Sequence, residues 1–384
     1  SSIKIGFQKA LSAIVDGNVT TLIAAAVLGF MGTGTIRGFA QTLALGIVLS
    51  MFTALTVTRL ILNALYAVGF RDEKFYGRAK ARKPIGFLRK KAVFFTLSAA
   101  MILCGFVFMG INQKNTGEIL NYSLEFMGGT STNVTFSEDM SIEELDERVV
   151  PIFEEISKDP NVQTQKVQGS NEVIFKTRVL SVEQREELNG RLAEEFGVDE
   201  SLITAETISS TISSEMRTGA IVAVVVAALC MLVYIWFRFK DIRFGASSVA
   251  ALLHDVFVVL AFYAVTRISV GGTFIACMLT IVGYSINATI VIFDRIRENM
   301  DGVKTVEELK ELVNASITQT LTRSIYTSLT TFITIAVLFV MGVSTVREFA
   351  LPIMTGIVCG AYSSVCITGP LWFTMKKRSL IREK

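Results

Sequence analysis

The chain has 384 residues, 51% of them hydrophobic and 18% charged, with a net charge of +3. Soluble globular domains carry about 25% charged residues, so a water-soluble enzyme or a nucleic-acid binder is excluded as a first reading and a membrane protein is indicated. One histidine, His254, cannot build a multi-histidine metal site. The five cysteines, mostly inside apolar runs, have no metal-type spacing.

The chain opens Ser1-Ser2-Ile3-Lys4, with no initiator methionine, no signal-type apolar region and no small-residue cleavage pattern. A preceding portion of the protein is therefore expected. A hydrocarbon core takes about 20 apolar residues per helix. Eight runs meet that length: 11–31, 39–62, 92–111, 220–237, 245–265, 273–293, 321–341 and 346–375. The first is the weakest, since it contains Asp16 and Asn18.

Lysine and arginine mark the cytoplasmic ends. The stretch Arg71 to Lys91, the loop with Arg238, Lys240 and Arg243, and the tail Lys376-Lys377-Arg378 are all basic. Residues 112–217 fall on the opposite side and hold 21 acids against 9 bases. Eight spans then put both chain ends in the cytoplasm. The expected organisation is two helices in 1–69, a basic linker in 70–91, a helix in 92–111, an external domain in 112–217, five helices in 218–375 and a basic tail in 376–384.

The external segment reads as β-α-β-β-α-β. SLEFMGGTSTNVTF is strand material broken by Gly128-Gly129, and Ser141 with Glu144 forms a capping box ahead of a helix. A hairpin turns at 169–171, a second capped helix starts at Ser181, and a last strand covers 202–208. That order fits a ferredoxin-like domain, which by itself implies no activity.

The chain also repeats itself. GNVTTLIAAAVLGFMGTGTIRGFAQTLALGIV, from Gly17, aligns without a gap on TSLTTFITIAVLFVMGVSTVREFALPIMTGIV, from Thr327. Pairs such as Thr20/Thr330, Met31/Met341, Gly32/Gly342, Arg37/Arg347 and Phe39/Phe349 match. Chance similarity between lipid-facing helices would pair Leu, Ile and Val instead. The fold class is thus a polytopic helical membrane protein with two parallel repeats, the first incomplete here, plus a small α+β domain. Repeats of this kind build transporters, whose sites lie between the halves.

Polar groups inside the apolar runs are the candidate site. GYSINATIVIFDRIREN, 283–299, carries Tyr284, Ser285, Asn287 and Thr289 ahead of the charged knot Asp294, Arg295, Ile296, Arg297, Glu298. These polar groups line an interface between repeats or glue helices together. The knot marks the cytoplasmic edge and docks the amphipathic stretch 305–313, or is simply a solvated helix end. Arg323 stands among Thr320, Thr322, Ser324, Thr327 and Ser328. Charges in hydrocarbon cost about 2.5–3.5 kcal/mol on insertion scales and so face partners or water; read near the start of its span, Arg323 also fits snorkelling. Asp16 is either a proton relay or sits by a helix start at Gly17-Asn18, and His254-Asp255 reads first as a structural hydrogen bond. After Phe126, Gly128 and Gly129 permit a sharp turn or a close backbone approach.

The motifs DGNVTTLIAAAVLGFMGTGTIRGFAQTLALGIVLSMFTAL, SLEFMGGT, HDVFVVL, GYSINATIVIFDRIREN and TLTRSIYTSLTTF cover nearly the whole chain in order. The first resembles the end of SecD and the rest resemble SecF, so the whole resembles the fused SecDF family of the resistance-nodulation-division superfamily. The resemblance implies a multi-pass protein of the bacterial inner membrane that works with the SecYEG translocon, with YajC and the YidC insertase as further partners. Its substrates would be preproteins and its surroundings membrane lipids, with no nucleic acid, no metal and no cofactor beyond protons as coupling ion. Covalent catalysis is not expected. The resemblance also implies that the region of Phe126, Gly128 and Gly129 joins the external domain to the bundle.

The resemblance further implies a proton path using an acid in a SecD span, an acid in the SecF span quoted above, and an arginine in the next span. That arginine is Arg323. The SecF acid corresponds to position 288, which is Ala288 in this chain, and the SecD acid belongs to a span absent from it. The path candidates are therefore Arg323, Asn287, Ala288, Asp16, Asp255, Tyr284 and Thr327. A lipid or drug exporter of the same superfamily, and a non-transporting scaffold of the translocon, remain alternatives, the second because of Ala288.

Overall fold

A computed structural model describes residues 2–32, 34–72, 75, 83–158, 162–167, 169–342 and 344–382. The chain forms two units. One comprises Ser1–Asn121, Ile221–Ser269 and Thr273–Lys384; the other comprises Tyr122–Ala220 and Val270–Gly272. Eight helices among the described residues are long and apolar enough to cross a membrane, and this multi-pass bundle is the first unit.

In chain order the bundle begins with α1 (Ser2–Met31) and α2 (Gly34–Phe52), which passes through a π-turn at Thr53–Val57 into α3 (Thr58–Val68). The helix α1 runs unbroken through Asp16, Gly17 and Asn18, so no helix starts at that point. Neighbours on other helices, described below, satisfy Asp16 inside the span. Much of the basic linker, 73–74 and 76–82, lies outside the described residues. Its last part lies along a later helix: the amides of Ile85 and Leu88 donate to Thr318 Oγ1 at 2.9 Å and Asn314 Oδ1 at 3.1 Å. The bundle continues with α4 (Lys91–Thr116).

The second unit opens with α5 (Leu124–Met127), a single helical turn where the sequence reads as strand. The reason is local: Gly128, at φ 73°, donates its amide to Leu124 O and closes the turn. Then come β1 (Gly129–Thr135), α6 (Ile142–Arg148), α7 (Val150–Ser157), β2 (Gln163–Lys166), β3 (Glu172–Thr177), α8 (Val182–Phe196) and β4 (Thr204–Ile208). The strands form one antiparallel sheet in the order β2-β3-β1-β4. Capping boxes at Ser141/Glu144 and Ser181/Gln184 start α6 and α8. The core under the sheet holds Val134, Phe136, Leu145, Phe153, Phe175, Leu188 and Leu192, with Phe153 and Phe175 stacked at 4.3 Å.

The remaining elements are α9 (Ser210–Phe239), α10 (Ile242–Thr266), α11 (Gly272–Glu298), α12 (Val306–Met341), α13 (Ser344–Ser363) and α14 (Gly369–Arg382), with a π-turn at Ser364–Thr368 between the last two. The eleventh is the most enclosed of the spans, with 72% of its most apolar window buried, and it forms the centre of the bundle. A Thr305/Glu308 capping box starts α12 well before the run read from hydropathy. Arg323 is at the middle of this 36-residue helix and near the start of its apolar part.

Candidate functional site

Small residues bring α1 and α11 into contact. A methyl group on Gly17 would lie 2.2 Å from Asn287 Oδ1, and one on Gly283 would lie 3.1 Å from Thr21 Cγ2. The two glycines sit on opposite helices, four residues from Thr21 and Asn287 respectively. Each lets the other helix's polar side chain approach, as small residues do in membrane bundles. Of the polar belt of α11, Asn287 therefore faces the helix that carries Asp16, whereas Ser285 bonds to Asp255 of α10 and Thr289 to Ser364.

Asp16 is buried in this seam. The Arg238 Nε–H donates to its Oδ2 at 2.7 Å and the Tyr234 hydroxyl to its Oδ1 at 2.8 Å. Tyr234 and Arg238 are one turn apart on α9 and so share a face. Arg238 Nη2 lies 3.7 Å from Asp294 Oδ1, and Arg297 Nη2 lies 2.9 Å from the same oxygen. Asp16, Arg238, Asp294 and Arg297 thus alternate in sign across α1, α9 and α11. The rest of the charged knot is local: Arg295 pairs with Glu298 at 2.8 Å. Docking onto α12 runs through Ser316 instead, whose hydroxyl accepts from Asn299 Nδ2 at 2.8 Å.

A cavity of about 70 Å³ opens between α11 and α12, lined by Tyr284, Asn287, Ala288, Val291, Arg323, Ser324, Thr327 and Ser328. Five of the seven residues proposed for the proton path meet here: Tyr284, Asn287, Ala288, Arg323 and Thr327. The Thr327 hydroxyl is bonded back to Arg323 O at 2.9 Å. The Tyr284 and Ser324 hydroxyls are buried with no partner among the described residues. Arg323 has no acidic partner there either, and its α12 neighbours Tyr326 and Thr327 are exposed.

Asp255 stands in a separate cluster on α10. Its carboxylate is 1% exposed and accepts from Ser285 Oγ at 2.5 Å, Ser363 Oγ at 2.8 Å and Cys359 Sγ at 3.1 Å. His254 Nδ1 is 2.9 Å from Asp255 Oδ1, so the ring proton belongs on Nδ1, leaving Nε2 buried without a partner among the described residues. The cluster ties α10 to α11 and α13. His254, Asp255 and Cys359 have ligand atoms within 4.8 Å of one another, a spacing that could hold a metal ion. Their mutual hydrogen bonds account for the arrangement without one.

In the second unit Phe126 is buried, and Gly128 and Gly129 have φ of 73° and 123°. A methyl on Gly129 would sit 2.1 Å from the Thr177 carbonyl oxygen. The neighbouring Glu125 carboxylate accepts from the amide of Gly272, and Ser123 donates its amide to Val270 O at 2.9 Å. These contacts clip residues 270–272 into the second unit.

Comparison with known proteins agrees with this arrangement. Residues 189–378 match the model of the protein export membrane protein SecD/SecF C-terminal family. The chain is 35% identical to the protein translocase subunit SecF of Sebaldella termitidis, covering 76% of this chain and 91% of that one. It belongs to the SecD/SecF family. The SecDF subunit of Bacillus subtilis is 31% identical over all of this chain and 53% of its own length. The crystal structure of Thermus thermophilus SecDF, described as a translocon-associated membrane protein, superposes with a TM-score of 0.81 at 36% identity, covering 98% of this chain and 50% of that one. The chain spans about half the length of these SecDF relatives.

Some functional groups of this SecD/SecF chain escape the sequence. Tyr234 and the Asp255 ligands Ser285, Ser363 and Cys359 are scattered over three helices. Arg238 reads only as a cytoplasmic marker. The one usable signal is the i, i+4 spacing of Tyr234 and Arg238, which puts a hydroxyl and a guanidinium on one helix face.

Proposed function

We propose that this chain is part of a proton-gradient-driven accessory of the Sec protein-export machinery, assisting preprotein movement on the extracytoplasmic side without covalent catalysis. In this reading both ends of the chain are cytoplasmic, the second unit is a ferredoxin-like extracytoplasmic lobe, and SecYEG, YajC and the YidC insertase are partners in the bacterial membrane. Protons would cross beside Asn287 and Arg323.

The seam between α1 and α11 carries the proposal: Gly17 lies against Asn287, the Asp16 pair is buried beside it, and the Arg323 cavity opens on α11. Support for two repeats meeting there comes from residues 310 positions apart. Phe39 and Phe349, paired by the alignment, pack edge to face at 5.4 Å. Ala40 and Ala350 are both buried, and π-turns follow α2 and α13 one position out of step, at Thr53–Val57 and Ser364–Thr368.

The experiment is gradient-dependent release of a secreted protein from membrane vesicles. Wild-type protein should be stimulated by the gradient and Arg323→Gln should lose at least tenfold of that stimulation. Release independent of the gradient in both, with translocon binding retained, would favour a scaffold. The cavity's lack of a carboxylate at Ala288 gives that second reading its footing.

A further inference from the structure

Four charged side chains line one end of the α1–α11 seam and alternate in sign: Asp16 of α1, Arg238 of α9, and Asp294 and Arg297 of α11. Their side-chain exposure falls inward, from 41% at Arg297 through 13% at Asp294 to 8% at Asp16. Both guanidinium groups also lie 5.4 Å from the centre of the Phe239 ring, where cation and ring attract. Ile290, on the face of α11 between Asn287 and Asp294, is fully buried, and beyond it Gly17 lies against Asn287. Every partner in this series is on the chain itself, so none of these charges is left for a group elsewhere to meet.

We infer that this series is a latch between α1 and the α9–α11 pair, closing the seam to water from the end that bears Arg297. Charges inside a membrane span face partners or water; here each has a partner, so the seam needs no water at Asp16. The chemistry also fixes where the latch opens. The hydrogen bonds from Tyr234 and Arg238 reach Asp16 from one face of α9, so a shift of α1 away from that face breaks both together. Arg238 and Arg297 then keep Asp294 between them, and Phe239 still packs on Phe293 at 6.2 Å. The α9–α11 pair therefore stays joined while Asp16 is released. A carboxylate left alone in a low-dielectric seam is costly and draws water in. Opening thus wets the seam toward Gly17 and Asn287, and closing dries it.

The latch deepens the proton-route reading and rests on it for its purpose, but its test reads water access and needs no gradient, so each can fail alone. The protein at full natural length, carrying Thr21→Cys one turn beyond Gly17 in the seam, is treated in vesicles with a membrane-impermeant thiosulfonate bearing a sulfonate group. Mass spectrometry of the peptide follows the rate at position 21. Glu298→Cys, at a position 49% exposed beside the latch, identifies vesicles that present this end to the reagent. With the native charges in place, labelling at position 21 should be slow. Asp16→Asn and Arg238→Gln should each speed it at least tenfold from the Arg297 end and leave the rate from the opposite side unchanged. The reagent is an anion, so a purely electrostatic effect would instead slow it in Arg238→Gln. Arg238→Lys keeps a cation for Asp16, and Arg295→Gln removes an arginine that pairs with Glu298 on its own helix; both should label as slowly as the native charges. Fast labelling with the native charges, a rate unmoved by Asp16→Asn and Arg238→Gln, opposite effects of those two, or an equal rise from both sides would overturn the latch whatever the outcome for export.

Discussion

Gly17 of α1 and Asn287 of α11 meet so closely that no side chain fits between them: a Cβ at 17 would come within 2.2 Å of the amide oxygen. One turn along each helix, Thr21 and Gly283 repeat the contact in reverse. An ideal Cβ at 283 falls 3.4 Å from Thr21 Cβ, close to the Cβ separation of about 3.5–4.5 Å in disulfides. The double variant Thr21→Cys/Gly283→Cys should therefore form a disulfide under mild oxidation. Mass spectrometry of linked peptides from membranes reads it directly. Free thiols at both positions would mean that the two helices do not share this face.

The Asp16–Arg238 pair leads to a second prediction. Removing one member of a buried pair leaves a charge uncompensated, which costs about 3–5 kcal/mol. Asp16→Leu should destabilise the bundle by that order, and Arg238→Gln by less, since the Arg238 side chain is 21% exposed. The double variant should cost less than the two singles together, because neither charge is then stranded. Denaturant unfolding in detergent checks this. Strict additivity would reduce the pair to a crossing of independent side chains.

Asp255 behaves differently because no arginine or lysine compensates it in this cluster; hydroxyls, a thiol and an imidazole do. Asp255→Asn keeps one acceptor for them and should be tolerated better than Asp255→Leu. The leucine strands the buried Ser285 hydroxyl, at about 1–3 kcal/mol, and leaves Ser363 Oγ only its longer bond to Gly360 O at 3.3 Å. Thermal unfolding of the two variants should rank Leu below Asn. The Asp255→Leu/Ser285→Ala/Ser363→Ala triple should then recover part of the loss.

How much of this was legible depends on where each signal is stored. Span number, the capping boxes at Ser141 and Ser181 and the succession of strands and helices along the second unit are local patterns, and residues a few positions apart encode them. Tyr284, Asn287, Ala288 and Arg323 sharing a cavity also follows from neighbouring helices in one family pattern. The ligands of Asp255 are not legible in this way, because Ser285, Cys359 and Ser363 come together only through helix packing. Hydropathy marks only the apolar part of α12, and the Thr305 cap is the separate signal that starts the helix earlier. One local reading fails for a physical reason. Alternation makes 124–127 a strand, whereas Gly128 closes it into a turn.

The two glycines of that turn differ in what they forbid. Gly128 and Gly129 both have positive φ, where any other residue is strained by roughly 1–3 kcal/mol. At Gly128 an added methyl would meet Ser210 Cα and Ser213 Oγ at 3.1 Å, contacts that a small shift relieves. At Gly129 it would meet the Thr177 carbonyl at 2.1 Å, on the residue that β3 pairs with Thr130 of β1. That oxygen cannot move without breaking the ladder. Gly129→Ala should accordingly cost more than Gly128→Ala, by about 1–3 kcal/mol of added overpacking. Hydrogen exchange in the intact protein should register the loss in β1 and β3 amides first, with α10 and α11 protected as in wild type. Equal exchange in the two variants would mean that the β1–β3 register does not depend on the missing side chain at Gly129.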